Sequence, residues 1–344
     1  MTMNMPMTTQ AEFANRVHRH MGGFSIVELM IAMLISLILM AGVIQIFTGT
    51  KSTFITQEGT SRLQENARFA LGRLSEDISA AGYLGCLDSE APSYPFRNDL
   101  TDKTIGSAYD LGTPIFGTDG AGVNGSDSIS IRRAGSGGSI RLTAPMQSAT
   151  SDIKLDDTSI GYNSLKQFDI MVVGDCATAT VFMITNTPSG SGGTIKHASG
   201  ITATSGPNIG QSNLDGDLYY IFGADRASVA GATQVSTSTY DICASTSGVG
   251  TSLFVNSNNC GTATVANELV EGVQSMQILY GIDADAATSP GVERYLRADQ
   301  VSTAQWNVIA SVRMTLRFDT VNYVPGGTYF QDFTTTVRLR NRGG

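Results

Sequence analysis

Glu28 stands at the entrance to an apolar run in which no residue is charged for 22 positions, from Leu29 to Thr50. A carboxylate in a membrane helix costs about 2.5 to 3.5 kcal/mol on insertion scales, so one placed here calls for a partner. The residues before it can supply an amine. In Gly22-Gly23-Phe24-Ser25-Ile26-Val27-Glu28, a cut after Gly23 makes Phe24 the new N-terminus, one helical turn from Glu28. The opposite charges are then placed to pair. An ordinary signal anchor with an incidental glutamate is the competing reading. At the helical rise, 22 residues reach roughly 33 Å, enough to cross the hydrocarbon core of a bilayer.

The flanking charges orient that run. Residues 1–23 hold Arg16, Arg19, His18 and His20 against a single acid, Glu12, so the positive-inside rule places this leader in the cytoplasm and everything after Lys51 across the membrane. No Ala-x-Ala site follows the run and no cysteine there forms a lipobox; Met40-Ala41-Gly42 is a weak conventional cleavage candidate. Gly-Phe-Ser-x-x-Glu before about twenty apolar residues resembles the class III signal of type IV prepilins. That resemblance implies a prepilin peptidase that cleaves between Gly23 and Phe24 and methylates the Phe24 amine. It also implies that Glu28 pairs with the terminal amine of a neighbouring subunit.

Composition narrows the rest. The chain has 22 basic and 30 acidic residues; without Arg16, Arg19 and Glu12 of the leader, 20 and 29 remain. An acidic surface of this kind does not suit nonspecific nucleic-acid binding, and no direct nucleic-acid partner is expected. All four cysteines, Cys86, Cys176, Cys243 and Cys260, follow the apolar run, and an even number on the exported side suits a disulfide framework. Three pairings are possible. Cys86 with Cys176 and Cys243 with Cys260 is preferred: the first staples the end of a long helix to a sheet, and the second closes a short loop worth about 3 kcal/mol in the chain-entropy picture.

Other chemistry finds little support. There is no Cys-x-x-Cys pair and His197 is the one histidine beyond the leader, which disfavours a zinc site and leaves little from which to build a nucleophile–histidine pair. The sequence is read as a non-enzyme without cofactor. The glycine cluster before Thr194-Ile195-Lys196 lacks the glycine a phosphate loop needs beside its lysine. Asp215-Gly216-Asp217 and Asp283-Ala284-Asp285 offer carboxylates without a complete calcium loop; Asp283 and Asp285 are the weak calcium candidates. Trp306 is expected as a core or loop anchor.

Positioning these residues requires a long helix and a sheet. Leu63, Ala67, Ala70, Leu74, Ile78 and Ala81 recur at steps of three and four and form one apolar stripe, with Arg62, Glu65, Arg73, Glu76 and Asp77 largely off it. Arg73 and Asp77 are spaced to pair for a few tenths of a kcal/mol, that is roughly 0.3. Gly82 and Gly85 supply the stop. Beyond residue 83, alternation predicts strands around Ile129 and Ile131, over Phe168–Val173, Val181–Thr185, Leu218–Phe222, Met276–Tyr280, Val308–Phe318 and Thr334–Leu339. Glu268–Gly272 is expected as a short helix, and Ser189–Gly193, Ser245–Thr251 and Asp283–Gly291 as loops.

Phe69–Gly85, Gly125–Arg133, Leu269–Asp283 and Val337–Arg342 are similar to segments of the PilW family of type IV pilus minor pilins. The N-terminal signal is the sharp part of that likeness. A mature length of 321 residues after a 23-residue leader suits the larger minor pilins. The resemblance implies an α+β, pilin-like fold: leader 1–23, a membrane-spanning half-helix 24–50, an amphipathic half-helix 51–82, and a β-rich periplasmic head 83–344. It implies a single-pass inner-membrane protein that joins other minor pilins and the major pilin at an inner-membrane assembly platform, primes the fibre and stays at or near its tip. A pseudopilin of type II secretion and a tip adhesin or ligand-binding module are the alternatives.

Overall fold

The computed structural model describes residues 23–84, 96–135, 138–223, 230–257, 260–261, 267–284, 291–320 and 327–341. The first element is α1, Ile26–Ser79. Contacts divide the chain into two units, residues 1–55 and 56–344. In the first, α1 is apolar and exposed. In the second, Leu63, Ala67, Ala70, Leu74 and Ile78 of α1 and Ala81 beyond it are all at most 2% exposed, so the predicted stripe is covered along its whole length. A buried leucine or isoleucine contributes about 1.5 to 3 kcal/mol, which makes this stripe the main attachment of the helix. Three residues after the helix, the chain turns at Gly82, whose φ of +75° only glycine adopts freely and whose N–H donates to the Arg132 carbonyl at 2.9 Å.

Eleven strands form one sheet among the described residues: Phe96–Asn98 (β1), Ile115–Thr118 (β2), Ser128–Ala134 (β3), Ile140–Ala144 (β4), Ile153–Leu155 (β5), Ile170–Gly174 (β6), Ala179–Met183 (β7), Thr194–Ile195 (β8), Gly231–Ala244 (β9), Thr251–Val255 (β10) and Glu268–Glu271 (β11). β9 is the hub, pairing antiparallel with β3, β4, β6 and β10. Four more strands form a second, antiparallel sheet in the order β13-β12-β14-β15: Val273–Ile282 (β12), Arg294–Leu296 (β13), Ile309–Asp319 (β14) and Phe330–Arg338 (β15). The α1 stripe shares one core with Ile129, Ile131, Tyr240 and Ile242 of the first sheet and Met276, Met314, Leu316 and Phe318 of the second. This is the expected α+β layout of a long helix packed with a β-rich head.

Polar groups pin the two sheets together. Asp127 accepts from Gly120 N at 2.8 Å and from Ile278 N at 2.7 Å, while Asp127 N donates to the Met276 carbonyl at 2.9 Å. Two segments of the family resemblance, 125–133 and 269–283, therefore meet here. Burial raises the Asp127 pKa from its ordinary value, against the pull of its two N–H donors. Arg132, which follows Ile131 in β3, is 1% exposed despite its charge and donates to the carbonyls of Ser107, Thr113 and Gly106 at 2.7 to 2.8 Å. Its guanidinium organises the loop before β2, and burial lowers its pKa to about 10. Trp306 is buried, as expected, with its ring centroid 4.8 Å from those of both Phe116 and Tyr280. A side chain at Gly117 would collide with the Tyr280 hydroxyl, which is why glycine stands there.

Three local expectations fail for identifiable reasons. Leu218–Phe222 is not a strand: Tyr219 has φ +66° and Tyr220 N closes a tight turn on Leu218 O. Glu268–Glu271 is strand β11 rather than helix, because β10 offers it a ladder at Ser252 and Leu253. The Ser245–Thr251 loop holds only up to its last residue, where β10 begins. Among the strands expected, β6, β7, β12, β14 and β15 lie where alternation put them, to within a few residues.

Candidate subunit-assembly site

Gly23, Phe24 and Ser25 precede α1 in extended or irregular backbone, and the helix begins on Ser25, whose Oγ accepts from Val27 N at 3.3 Å and whose carbonyl accepts from Leu29 N at 3.1 Å. Serine is a favoured N-cap because its side chain takes up an otherwise orphaned amide. Glu28 lies in the first turn, where a carboxylate also complements the positive end of the helix dipole. From Phe24 to Phe47 the large apolar side chains are 50–81% exposed, and no charged residue interrupts the run after Glu28. By length and composition this part of α1 can cross a membrane. A surface so apolar and so continuous is an interaction surface rather than an ordinary solvated one.

The lower half of α1 carries a polar clamp that the sequence did not reveal. Asp77, expected off the apolar face, is 0% exposed among the stripe residues. Its Oδ2 accepts a short hydrogen bond from the Tyr240 hydroxyl on β9. Arg133 on β3 approaches Oδ1 at 3.0 Å, an ion-pair distance whose angles fall short of a hydrogen bond, and Arg73 approaches Oδ2 at 3.4 Å. Two strands thus converge on one buried helix carboxylate. Burial and the adjoining Asp77 charge raise the Tyr240 pKa, keeping that hydroxyl a donor.

Two family profiles match the chain. One, the prokaryotic N-terminal methylation motif, covers residues 18–44 and so contains Gly23, Phe24 and Glu28. The other, type IV pilus-assembly protein W, PilW, covers residues 239–329, from the end of β9 to the approach to β15. Together these matches support a type IV pilus minor pilin of the PilW family. No curated protein and no solved structure matches it. Of the softer segments of resemblance, Leu269–Asp283 falls inside the PilW match and Tyr240 of the clamp does too.

The remaining candidates of this minor pilin take the following places. Cys243 on β9 and Cys260 form a disulfide, with 5.5 Å between Cα atoms. Cys176 is also disulfide-bonded; Cys86, its expected partner, lies outside the described residues. Asp283 is buried, its Oδ2 accepting from Gly291 N at 3.0 Å, but Asp285 lies outside the described residues. Among the described residues no group of three or more His, Cys, Asp or Glu side chains is placed to hold a metal ion. Asp215 and Asp217 shape a turn: Asp215 pairs with Arg97 at 2.7 Å and accepts from Asp217 N, and Asp217 accepts from Tyr219 N. Beside them Asp99, wholly buried, has its pKa pushed up to about 6, first by burial and then by the neighbouring Asp215. His197 is buried with Nδ1 against the Gly216 carbonyl at 3.0 Å and Nε2 against the Ser151 carbonyl at 2.9 Å, a packing role that occupies both nitrogens.

Proposed function

We propose that this PilW-family pilin is a structural assembly subunit that helps to prime the pilus and then sits at or near its tip, supporting motility, adhesion or DNA uptake by the whole fibre. The observation that carries this reading is the exposed apolar half of α1 with a single carboxylate in its first turn. Before assembly, lipid covers that surface, with the leader cytoplasmic and the head periplasmic. During assembly, the helices of other minor pilins and of the major pilin replace the lipid, and packing plus polar contacts drive the exchange. Prepilin peptidase frees the amine of Phe24 beforehand, and Glu28 meets the terminal amine of a neighbouring subunit, so an isolated charge becomes a paired one. Nothing in this scheme requires catalysis by the chain or a bound cofactor.

Glu28→Ala separates storage from assembly. Removing the carboxylate relieves a cost of about 2.5 kcal/mol or more in lipid, so the variant should enter the membrane at least as well as wild type and lose its leader normally. Crosslinking to other minor pilins and the number of surface pili should both fall, the latter partially where companion subunits compensate. Unchanged crosslinking and piliation, with normal cleavage, would rule out amine pairing for this subunit. The broader role is tested by counting surface pili in a clean deletion strain: a marked loss is expected, and normal piliation with failed protein secretion would point to the type II machine instead. A head-deleted, normally processed chain that still supports piliation but abolishes attachment would favour the adhesin reading.

A further inference from the structure

β9 has a strand on each side for most of its length, with one interruption. On one side β4 pairs with residues 231–232 and β3 with 235–240; on the other β6 pairs with 231–234 and β10 with 240–244. Among the described residues, no strand therefore pairs with 235–239 on the second side. The interruption opens into a groove of about 900 Å³ lined in part by Tyr109, Asp169, Asn208, Thr237 and Asn256.

The backbone phase across this gap can be read directly. Asn256, at the β10 end, donates its N–H to the Thr239 carbonyl at 2.7 Å and accepts from Thr239 N through Oδ1 at 2.8 Å. The Gln234 carbonyl accepts from Gly135 N on the opposite, β3 side at 3.1 Å. Odd-numbered residues thus present their N–H and C=O to the second side, because the groups alternate along a strand. Thr237 lies at the middle of the gap. Its N–H and C=O have no protein hydrogen-bond partner among the described residues, whereas its hydroxyl donates to the Ala108 carbonyl. Unpaired groups on a strand edge are a template for another backbone, and the four residues 235–238 at about 3.3 Å each give a slot roughly 13 Å long, closed at its end by the Asn256–Thr239 pair. Among the described residues the lining holds neither lysine nor arginine and includes two carboxylates: Asp169, whose Oδ2 accepts from Lys166 N at 2.8 Å and whose charge the nearby Lys166 partly offsets, and Asp241, which is 3% exposed and accepts from the Ser257 hydroxyl.

We infer that this slot docks an extended segment of a partner polypeptide, which pairs its backbone with Thr237 and carries a lysine or arginine toward the acidic lining. Strand addition supplies affinity through main-chain hydrogen bonds and specificity through the alternate side chains. Charge complementarity selects a cationic segment over an acidic one.

The test uses the full mature chain in detergent micelles and fluorescently labelled, end-blocked heptapeptides of alternating Thr and Val with Lys, Gln or Glu at the centre, followed by fluorescence polarisation. The Lys peptide should bind at least tenfold tighter than the Glu peptide. Asp169→Asn should reduce that preference to under threefold. Thr237→Pro removes an N–H that no strand uses and should abolish binding; because proline in a strand can also harm the fold, Ala108→Trp at an exposed rim position is the second variant and should block the slot while leaving the β9 ladders intact. Absence of binding by every peptide, equal binding of all three, or Lys-peptide binding that survives Ala108→Trp would overturn the inference. So would saturable binding of chitotriose, a neutral polyhydroxylated probe, in place of the peptides, since it would mark the groove as a glycan site.

Discussion

Replacing Asp77 by alanine should destabilise the head by about 3 kcal/mol, because it strips the shared partner from Tyr240, Arg133 and Arg73 while leaving those groups at a buried helix face. The carboxylate is 0% exposed, but Arg133 and Arg73 are partly reached by water, which places the effect at the lower end of what breaking a buried ion pair costs. Asp77→Asn keeps an acceptor for the Tyr240 hydroxyl and loses the charge facing Arg133, so it should fall between alanine and wild type. Urea unfolding of the full chain in mild detergent, followed by the fluorescence of Trp306 in the shared core, reads the difference directly. A loss under 1 kcal/mol for alanine would mean that the apolar stripe alone holds α1 to the sheets. The same clamp has a pH signature. Because the folded-state Tyr240 pKa is raised, the stability attached to its neutral hydroxyl is complete below the ordinary tyrosine pKa of about 10 and is lost as pH rises through the higher folded value.

The second large effect concerns processing. Gly23→Val should leave the leader attached to nearly all of the protein, with mature chain reduced at least tenfold, whereas Gly23→Ala should be partly processed. A side chain at Gly23 meets nothing within 4 Å, so neither change disturbs folding and any block belongs to the peptidase step. A chain that keeps its leader has no amine at Phe24 for Glu28 of a neighbour, and the variant should therefore fail in assembly as well as in cleavage. Gel mobility of the precursor and pilus counts in the same strain check both expectations. Full maturation of Gly23→Val would remove the proposed cleavage site.

The parts of this molecule that the sequence made legible are those whose signal is local. The signal around Gly23, Phe24 and Glu28 needs only its spacing and the apolar run behind it, and the methylation-motif match spans residues 18–44; the roles of the three residues rest on the proposal above. The stripe from Leu63 to Ala81 is one helical face, and its burial follows from periodicity alone. Asp77 was not legible, because an aspartate four residues from Arg73 reads as a surface pair; only Tyr240 and Arg133, far away in the chain, make its burial tolerable. Arg132 was missed for the same reason: its three acceptors are loop carbonyls, which have no sequence signature. β9, the hub of the larger sheet, is rich in Ser and Thr over Gln234–Thr239 and lacks apolar alternation; its pairing comes from four neighbours rather than from its own side chains. Leu218–Phe222 erred in the other direction, since its apolar residues fill a core from a turn.

N-terminal mass spectrometry of the protein extracted from membranes tests the central claim most directly, since a prepilin is defined by what happens between Gly23 and Phe24. The account predicts a single mature species that begins at N-methylated Phe24. An intact leader, or a chain beginning near Gly42, would contradict it.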